Sequence, residues 1–109
     1  MFGISSAGYA KDDPKEIPPK DNWEQTNERA NSSPRLFQDE SSVYVYSEKQ
    51  LDNVTIGITD IQGNTWHYEM TIVPAGIYYA VSIESLPSGM YYLCVYQGSN
   101  YAIGMFTID

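Results

Sequence analysis

The chain has 109 residues and carries 14 Asp and Glu against 6 Lys and Arg, a net charge of -8, with one Cys, one His and ten Tyr. That length suits one compact domain. One Cys excludes an intrachain disulfide and a multi-Cys zinc site, and one His excludes a His-rich metal site and leaves His67 as the sole base for a Ser-His-Asp triad. An isoelectric point near 4.3 argues against a nucleic-acid or anionic-membrane surface, and no apolar run reaches the length of a membrane span.

The charges are unevenly placed. All six bases (Lys11, Lys15, Lys20, Arg29, Arg35, Lys49) precede position 50, and the remainder holds five acids (Asp52, Asp60, Glu69, Glu84, Asp109). Nine of the ten tyrosines lie from Tyr44 onward. The chain therefore divides into a polar N-terminal arm, residues 1–34, and a Tyr-rich body, residues 35–109.

Within the arm, residues 1–10 place Gly8 and Ala10 at the small-residue spacing of a signal-peptidase site, but lack the basic start and long apolar stretch of a full signal peptide. They read as a signal-peptide remnant or as a short ordinary N-terminus. Residues 11–34 hold only three apolar side chains (Ile17, Trp23, Ala30) and four of the six prolines. Such a segment does not bury enough surface to offset its ordering entropy, about 1–2 kcal/mol per residue. It is either an extended linker or an arm docked on its own body or on a neighbouring subunit, and Trp23 is its candidate anchor.

From Arg35 onward apolar and polar residues alternate, the period-2 mark of strands with one buried face. Leu36-Phe37 is a weak first strand, and Val43-Tyr44-Val45-Tyr46 follows with its valines inward. Val54, Ile56 and Ile58 form the inner face of the next strand, and Trp66, Tyr68, Met70 and Ile72 that of the strand after it. Tyr79, Val81 and Ile83, then Tyr91, Leu93 and Val95, then Phe106 and Ile108 complete the expected core. Turns containing Gly63, Gly76, Gly89 and Gly98 separate these runs. Seven short strands with turns about every ten residues predict an all-β, seven-stranded sandwich with an extended N-terminal arm.

Leu86-Pro87-Ser88-Gly89-Met90-Tyr91-Tyr92-Leu93 leads into the sixth strand. It resembles the tyrosine corner of immunoglobulin-like and fibronectin type III domains, in which the hydroxyl of the corner tyrosine, here Tyr91, returns to upstream backbone. Without a second Cys the fibronectin type III-like variant fits better.

A wider resemblance rests on Trp23, on Leu51-Asp52-Asn53-Val54-Thr55-Ile56-Gly57-Ile58-Thr59-Asp60-Ile61-Gln62-Gly63, on the corner segment, and on Gly104-Met105-Phe106-Thr107-Ile108. Residues 23–109 resemble a domain-of-unknown-function family of small exported Bacteroidetes proteins. The resemblance implies a single immunoglobulin-like sandwich exported to the periplasm or cell surface, and no catalytic residue to carry over. The same pattern looks like the C-terminal sorting domains of proteins secreted across the outer membrane of that phylum. Those end near a basic residue, whereas here no Lys or Arg follows Lys49.

Polar chemistry offers little. His67 and Glu69 are expected on an outer strand face, as a solvated pair or a weak metal site. Asp12-Asp13 and Asp39-Glu40 read as loop acids. If Tyr91, Leu93 and Val95 point inward, Tyr92, Cys94 and Tyr96 point outward, and Ile103 and Met105 of the last strand join them. That is an uncharged aromatic patch, with Gln97 and Asn100 at the adjoining turn. Such patches are protein or glycan contact sites, or are covered by the chain itself. The expected function is that of a non-catalytic exported interaction or adhesion module without a cofactor, acting on a protein partner or on itself through the arm or the tyrosine-rich face. The alternatives are a secretion sorting domain and a small glycan-binding module.

Overall fold

Strands with one apolar face remain in water only if that face meets another sheet. The computed structural model describes residues 14–23 and 33–109. Its strands are β1 (Lys15–Ile17), β2 (Lys20–Asp21), β3 (Arg35–Gln38), β4 (Ser42–Tyr46), β5 (Leu51–Asp60), β6 (Thr65–Val73), β7 (Tyr78–Ser82), β8 (Gly89–Gln97) and β9 (Asn100–Ile108). They form a four-stranded sheet in the order β1-β3-β4-β7 and a five-stranded sheet in the order β2-β9-β8-β5-β6. The expected all-β sandwich is thus present, and β3 to β9 are the seven expected strands. Among the described residues no helix is long and apolar enough to cross a membrane.

The two additional strands come from the segment expected to be an arm. Lys15–Ile17 pair antiparallel with β3, and Lys20–Asp21 pair antiparallel with β9. Between them Pro18 and Pro19 carry the chain from the edge of one sheet to the edge of the other. Proline has no N–H, so neither residue leaves a ladder donor without a partner at the crossing. Asn22 continues the attachment. Its amide N–H donates to the Tyr101 carbonyl at 3.1 Å, its side chain donates to the Ser99 carbonyl at 3.0 Å, and its side-chain oxygen accepts from the Tyr101 N–H at 2.6 Å. Trp23, the expected anchor, is 6% exposed and belongs to the core. The signal-peptide reading of residues 1–10, Asp12-Asp13 and the rest of the arm at 24–32 lie outside the described residues.

The core is built from Leu36, Val43, Val45, Val54, Ile56, Ile58, Val81, Ile83, Tyr91, Leu93, Val95 and Phe106, with Ile17, Leu51, Val73 and Ala102 added to the expected set. Tyr79 and Ile108 pack against it half-buried. One expected strand face is corrected: Tyr68, Met70 and Ile72 are exposed, and His67, Glu69 and Thr71 are the half-buried residues of β6, while Trp66, at a bulge, is 45% exposed with its ring 6.3 Å from the core ring of Tyr91. His67 pairs across the ladder with the fully buried Ile58, so it lies on the inner side, not on the expected outer face.

The position of β6 explains the inversion. It is the edge strand of the wider sheet, at the rim bounded by β7 in the other sheet. Its inner residues meet the Tyr79 hydroxyl, which donates to Glu69 at 2.8 Å and lies 3.1 Å from the Thr71 hydroxyl. A polar inner face suits a rim that water reaches. Alternation shows which residues share a face but not which way that face looks.

The arm strand is packed with little slack. A Cβ at Gly104 would lie 2.6 Å from Ile17 Cγ2 and 3.0 Å from Leu36 Cδ1. Gly104→Ala is therefore expected to destabilise the fold by about 1–3 kcal/mol in urea denaturation. In an Ile17→Ala background the same change should cost less than the sum of the two single effects. Strict additivity would show that Ile17 does not press on Gly104 in solution.

Candidate functional site

The β8–β9 hairpin builds the site. Gln97 and Asn100 pair across a two-residue loop, and Gly98 takes a φ of +62° that favours glycine. Alternation then sends Tyr91, Leu93 and Val95 into the core and Tyr92, Cys94 and Tyr96 outward. Cross-strand partners place Met105 beside Tyr92, Ile103 beside Cys94 and Tyr101 beside Tyr96. The expected patch residues Tyr92, Tyr96, Ile103 and Met105 therefore share the outer face of the five-stranded sheet.

The ladder extends that face across the whole sheet. Thr55 sits between Tyr96 and Met70, and Gly57 sits between Cys94 and Tyr68. Tyr68 and Met70 are 68% and 67% exposed, against 41% for Tyr96. The side chains assigned from sequence to the core of β6 are instead the most exposed part of this face. Met90 and Tyr101 add to it. These cross-strand rows contain no acid and one base, Lys20, opposite Ile103 at the far edge.

Cys94 lies within the face but is only 7% exposed. Desolvation pushes its thiol pKa up, against hydrogen bonds from Tyr96 and Thr59 that work the other way. Desolvation likewise raises the Tyr96 hydroxyl, with Cys94 adding to the effect. Both groups are neutral at physiological pH, so they leave the face uncharged. The turn residues are less available. The Gln97 side-chain amide donates to the Asp52 carbonyl at 2.8 Å, and Asn100 is half-buried. Tyr91 lies beneath, 2% exposed and stacked on Phe106 at 5.6 Å, and its hydroxyl donates to the Pro87 carbonyl at 2.6 Å. That is the return to upstream backbone that a tyrosine corner makes.

The other outer face is also aromatic, which the sequence reading missed. Tyr78 contacts the rings of Phe37 at 5.2 Å, Tyr44 at 6.3 Å and Tyr46 at 4.7 Å. Arg35 lies 5.3 Å over Phe37 and grips Glu16 through two hydrogen bonds of 3.0 and 2.9 Å. Pairing of Arg35 with Tyr46, Phe37 with Tyr44 and Tyr46 with Tyr78 was the available signal, but it needed the register of three strands. Here the rings contact one another and a charge pair, and Tyr78 remains 50% exposed.

The titratable groups serve the fold. A cleft of about 820 Å³ opens between residues 15–18, 38–40 and 105–109. Its Glu16 is held by Arg35, which keeps that carboxyl below its ordinary range. Burial opposes charge on Asp39, but the Tyr44 hydroxyl and the Ser41 and Ser42 amides outweigh it and hold the carboxyl down. Among the described residues no group of three His, Cys, Asp or Glu side chains converges as a metal site. His67 Nε2 and Glu69 Oε2 are 2.8 Å apart at the rim.

Asp60 organises the turn that launches β6. Its carboxylate accepts from the Gln62 amide at 2.9 Å, the Asn64 amide at 2.9 Å, the Asn64 side chain at 3.1 Å and the Trp66 indole at 3.1 Å. The Asn64 amide first, and the Trp66 indole next, lower its pKa from 3.8 to about 2. A carboxyl with a depressed folded-state pKa adds stability above its unfolded value and loses it as pH falls through the folded one. Asp60→Asn should therefore lower the urea midpoint at neutral pH, with the gap from wild type closing between about pH 4 and pH 2. A gap unchanged at pH 2 would refute the assignment.

Comparison with known proteins follows the fold. The family model described as "Domain of unknown function (DUF3244)" matches residues 16–108. A crystal structure of a DUF3244 family protein from Bacteroides vulgatus, described as having an immunoglobulin-like β-sandwich fold, superposes with a TM-score of 0.71 at 21% identity. The match covers 88% of this chain and 99% of that one. No curated protein matches the chain.

Proposed function

We propose, from the premise that the chain belongs to the DUF3244 family of domains of unknown function, that it is a non-catalytic, exported interaction module of the adhesion type. Its contact surface is the outer face of the five-stranded sheet. The observation that carries this reading is the exposed, uncharged array of Tyr68, Met70, Tyr96, Tyr101 and Met105 on a chain of net charge -8. Enrichment in Tyr and Met with depletion of charge marks the centre of protein interfaces. Large exposed apolar patches on soluble domains mark contact sites.

A protein partner is better supported than a sugar. Sugar stacking needs free polar groups beside the rings, and at the adjoining turn the Gln97 amide is already bound to the Asp52 carbonyl. Export rests on the family resemblance and on the small-residue spacing at Gly8 and Ala10.

The test is site-specific photo-crosslinking of the full chain produced in its own host. Benzoylphenylalanine in place of Tyr96 should give defined protein adducts in the envelope or medium fraction, and the same group in place of Tyr78 on the opposite face should not. Equal labelling from both faces, or none from Tyr96, would overturn the contact surface. Recovery of the chain in the cytoplasmic fraction would overturn export. Saturable quenching of aromatic fluorescence by soluble polysaccharides, lost in Tyr96→Ala, would replace the protein partner with a sugar.

A further inference from the structure

Sheet edges are usually blunted by short strands, lysine, proline or bulges, because unpaired N–H and C=O groups template further strands. Three of the four edges here follow that pattern. β1 and β2 have three and two residues and each carries a lysine, and β7 has five residues. β6 does not. It has nine residues, with no Lys, Arg or Pro, and its pairing with β5 runs unbroken from His67 to Thr71 between two bulges. The exposed side chains of Tyr68, Met70 and Ile72 line this edge, which pairs with no further strand among the described residues.

We infer that β6 is a self-recognition edge that pairs antiparallel with β6 of a second copy about a two-fold axis through Tyr68. The order of residues selects this occupant. With Tyr68 opposite its own copy, His67 falls opposite the partner's Glu69, and Glu69 opposite the partner's His67. His67 and Glu69 share the inner side of the strand, 2.8 Å apart and about one-third exposed, so the dimer closes an alternating ring of two imidazoles and two carboxylates. An imidazole facing a carboxylate across a ladder can share a hydrogen bond with it, as His67 and Glu69 already do within one strand. Moving the axis to Glu69 would set two carboxylates face to face, so charge selects register as well as partner. On the outer side the exposed Tyr68, Met70 and Ile72 of both copies become one apolar stripe. A two-fold interface has this isologous form, each residue meeting its reciprocal. The edge shares Tyr68 and Met70 with the face of the proposed function but pairs through the β6 backbone, His67 and Glu69, so Tyr96→Lys and Tyr68→Lys separate the two.

Sedimentation equilibrium of the full chain from micromolar to millimolar concentration tests the inference. Wild type should show a concentration-dependent monomer–dimer equilibrium. Tyr68→Lys, at an exposed position that leaves the core intact, puts two cations on the axis and should weaken the dimer about tenfold or more. Glu69→Lys sets Lys against His67 and should weaken it too, whereas His67→Glu combined with Glu69→Lys restores opposite charges and should recover it. Circular dichroism of each variant checks that the fold is kept. A wild type that stays monomeric throughout overturns the proposal, as does a dimer indifferent to Tyr68→Lys. A dimer lost in Tyr96→Lys but kept in Tyr68→Lys would place self-association on the flat face and overturn the edge.

Discussion

The crossing at Pro18 and Pro19 is the constraint on which the rest of the sandwich depends. One short stretch of chain closes both sheets on the same side, with Ile17 pressed between the sheets against Gly104 and Leu36, and Asn22 clasping the β8–β9 turn. Large apolar side chains contribute about 1.5–3 kcal/mol each when fully buried. Ile17 and Trp23 thus convert a segment with few apolar residues into one that holds. Among the described residues the opposite side has no such closure. There β6 and β7 meet through the Tyr79 hydroxyl, Glu69 and Thr71, a polar contact at a wet rim. One closed and one open side follow from where the chain places its prolines.

Much of this was legible in the residues. The seven strands of the body follow from alternation and from glycines at turns, and the tyrosine corner from the spacing of Leu86, Gly89 and Tyr91. Hidden from that reading were features that depend on neighbours far apart in sequence. The stripe of Trp66, Tyr68, Met70 and Ile72 has an ideal core pattern, but only the strand order shows that Tyr68, Met70 and Ile72 face outward, and only the bulge at Trp66 turns that ring towards Tyr91. Lys15-Glu16-Ile17 is too short and too polar to announce a strand, because its pairing is decided by the exposed edge of β3. For the patch, the half contributed by β8 and β9 was visible and the half contributed by β6 was not, for the same reason. The ring cluster around Tyr78 needed three strand registers at once.

The two outer faces show how similar composition leads to different surface behaviour. Around Tyr78, rings meet edge to face and the charge of Arg35 is taken up by Glu16, while Tyr78 itself stays 50% exposed. On the five-stranded sheet the tyrosines and methionines stand in rows separated by Thr55 and Gly57, and large parts of them remain in contact with water. The five-stranded sheet thus presents the longer run of exposed apolar side chains, whose covering would recover free energy. The acidic residues behind the net charge of -8 stay outside these rows.

Cys94 gives that face an internal reporter. The single thiol sits in the middle of the sheet, shielded by its neighbours and held in its protonated, unreactive form by desolvation. A thiol reagent reaches it when the side chains around it on that face move aside, so the alkylation rate of the unmodified protein reports the motion of that cover. Anything that settles on the face should slow that rate without touching the sulfur.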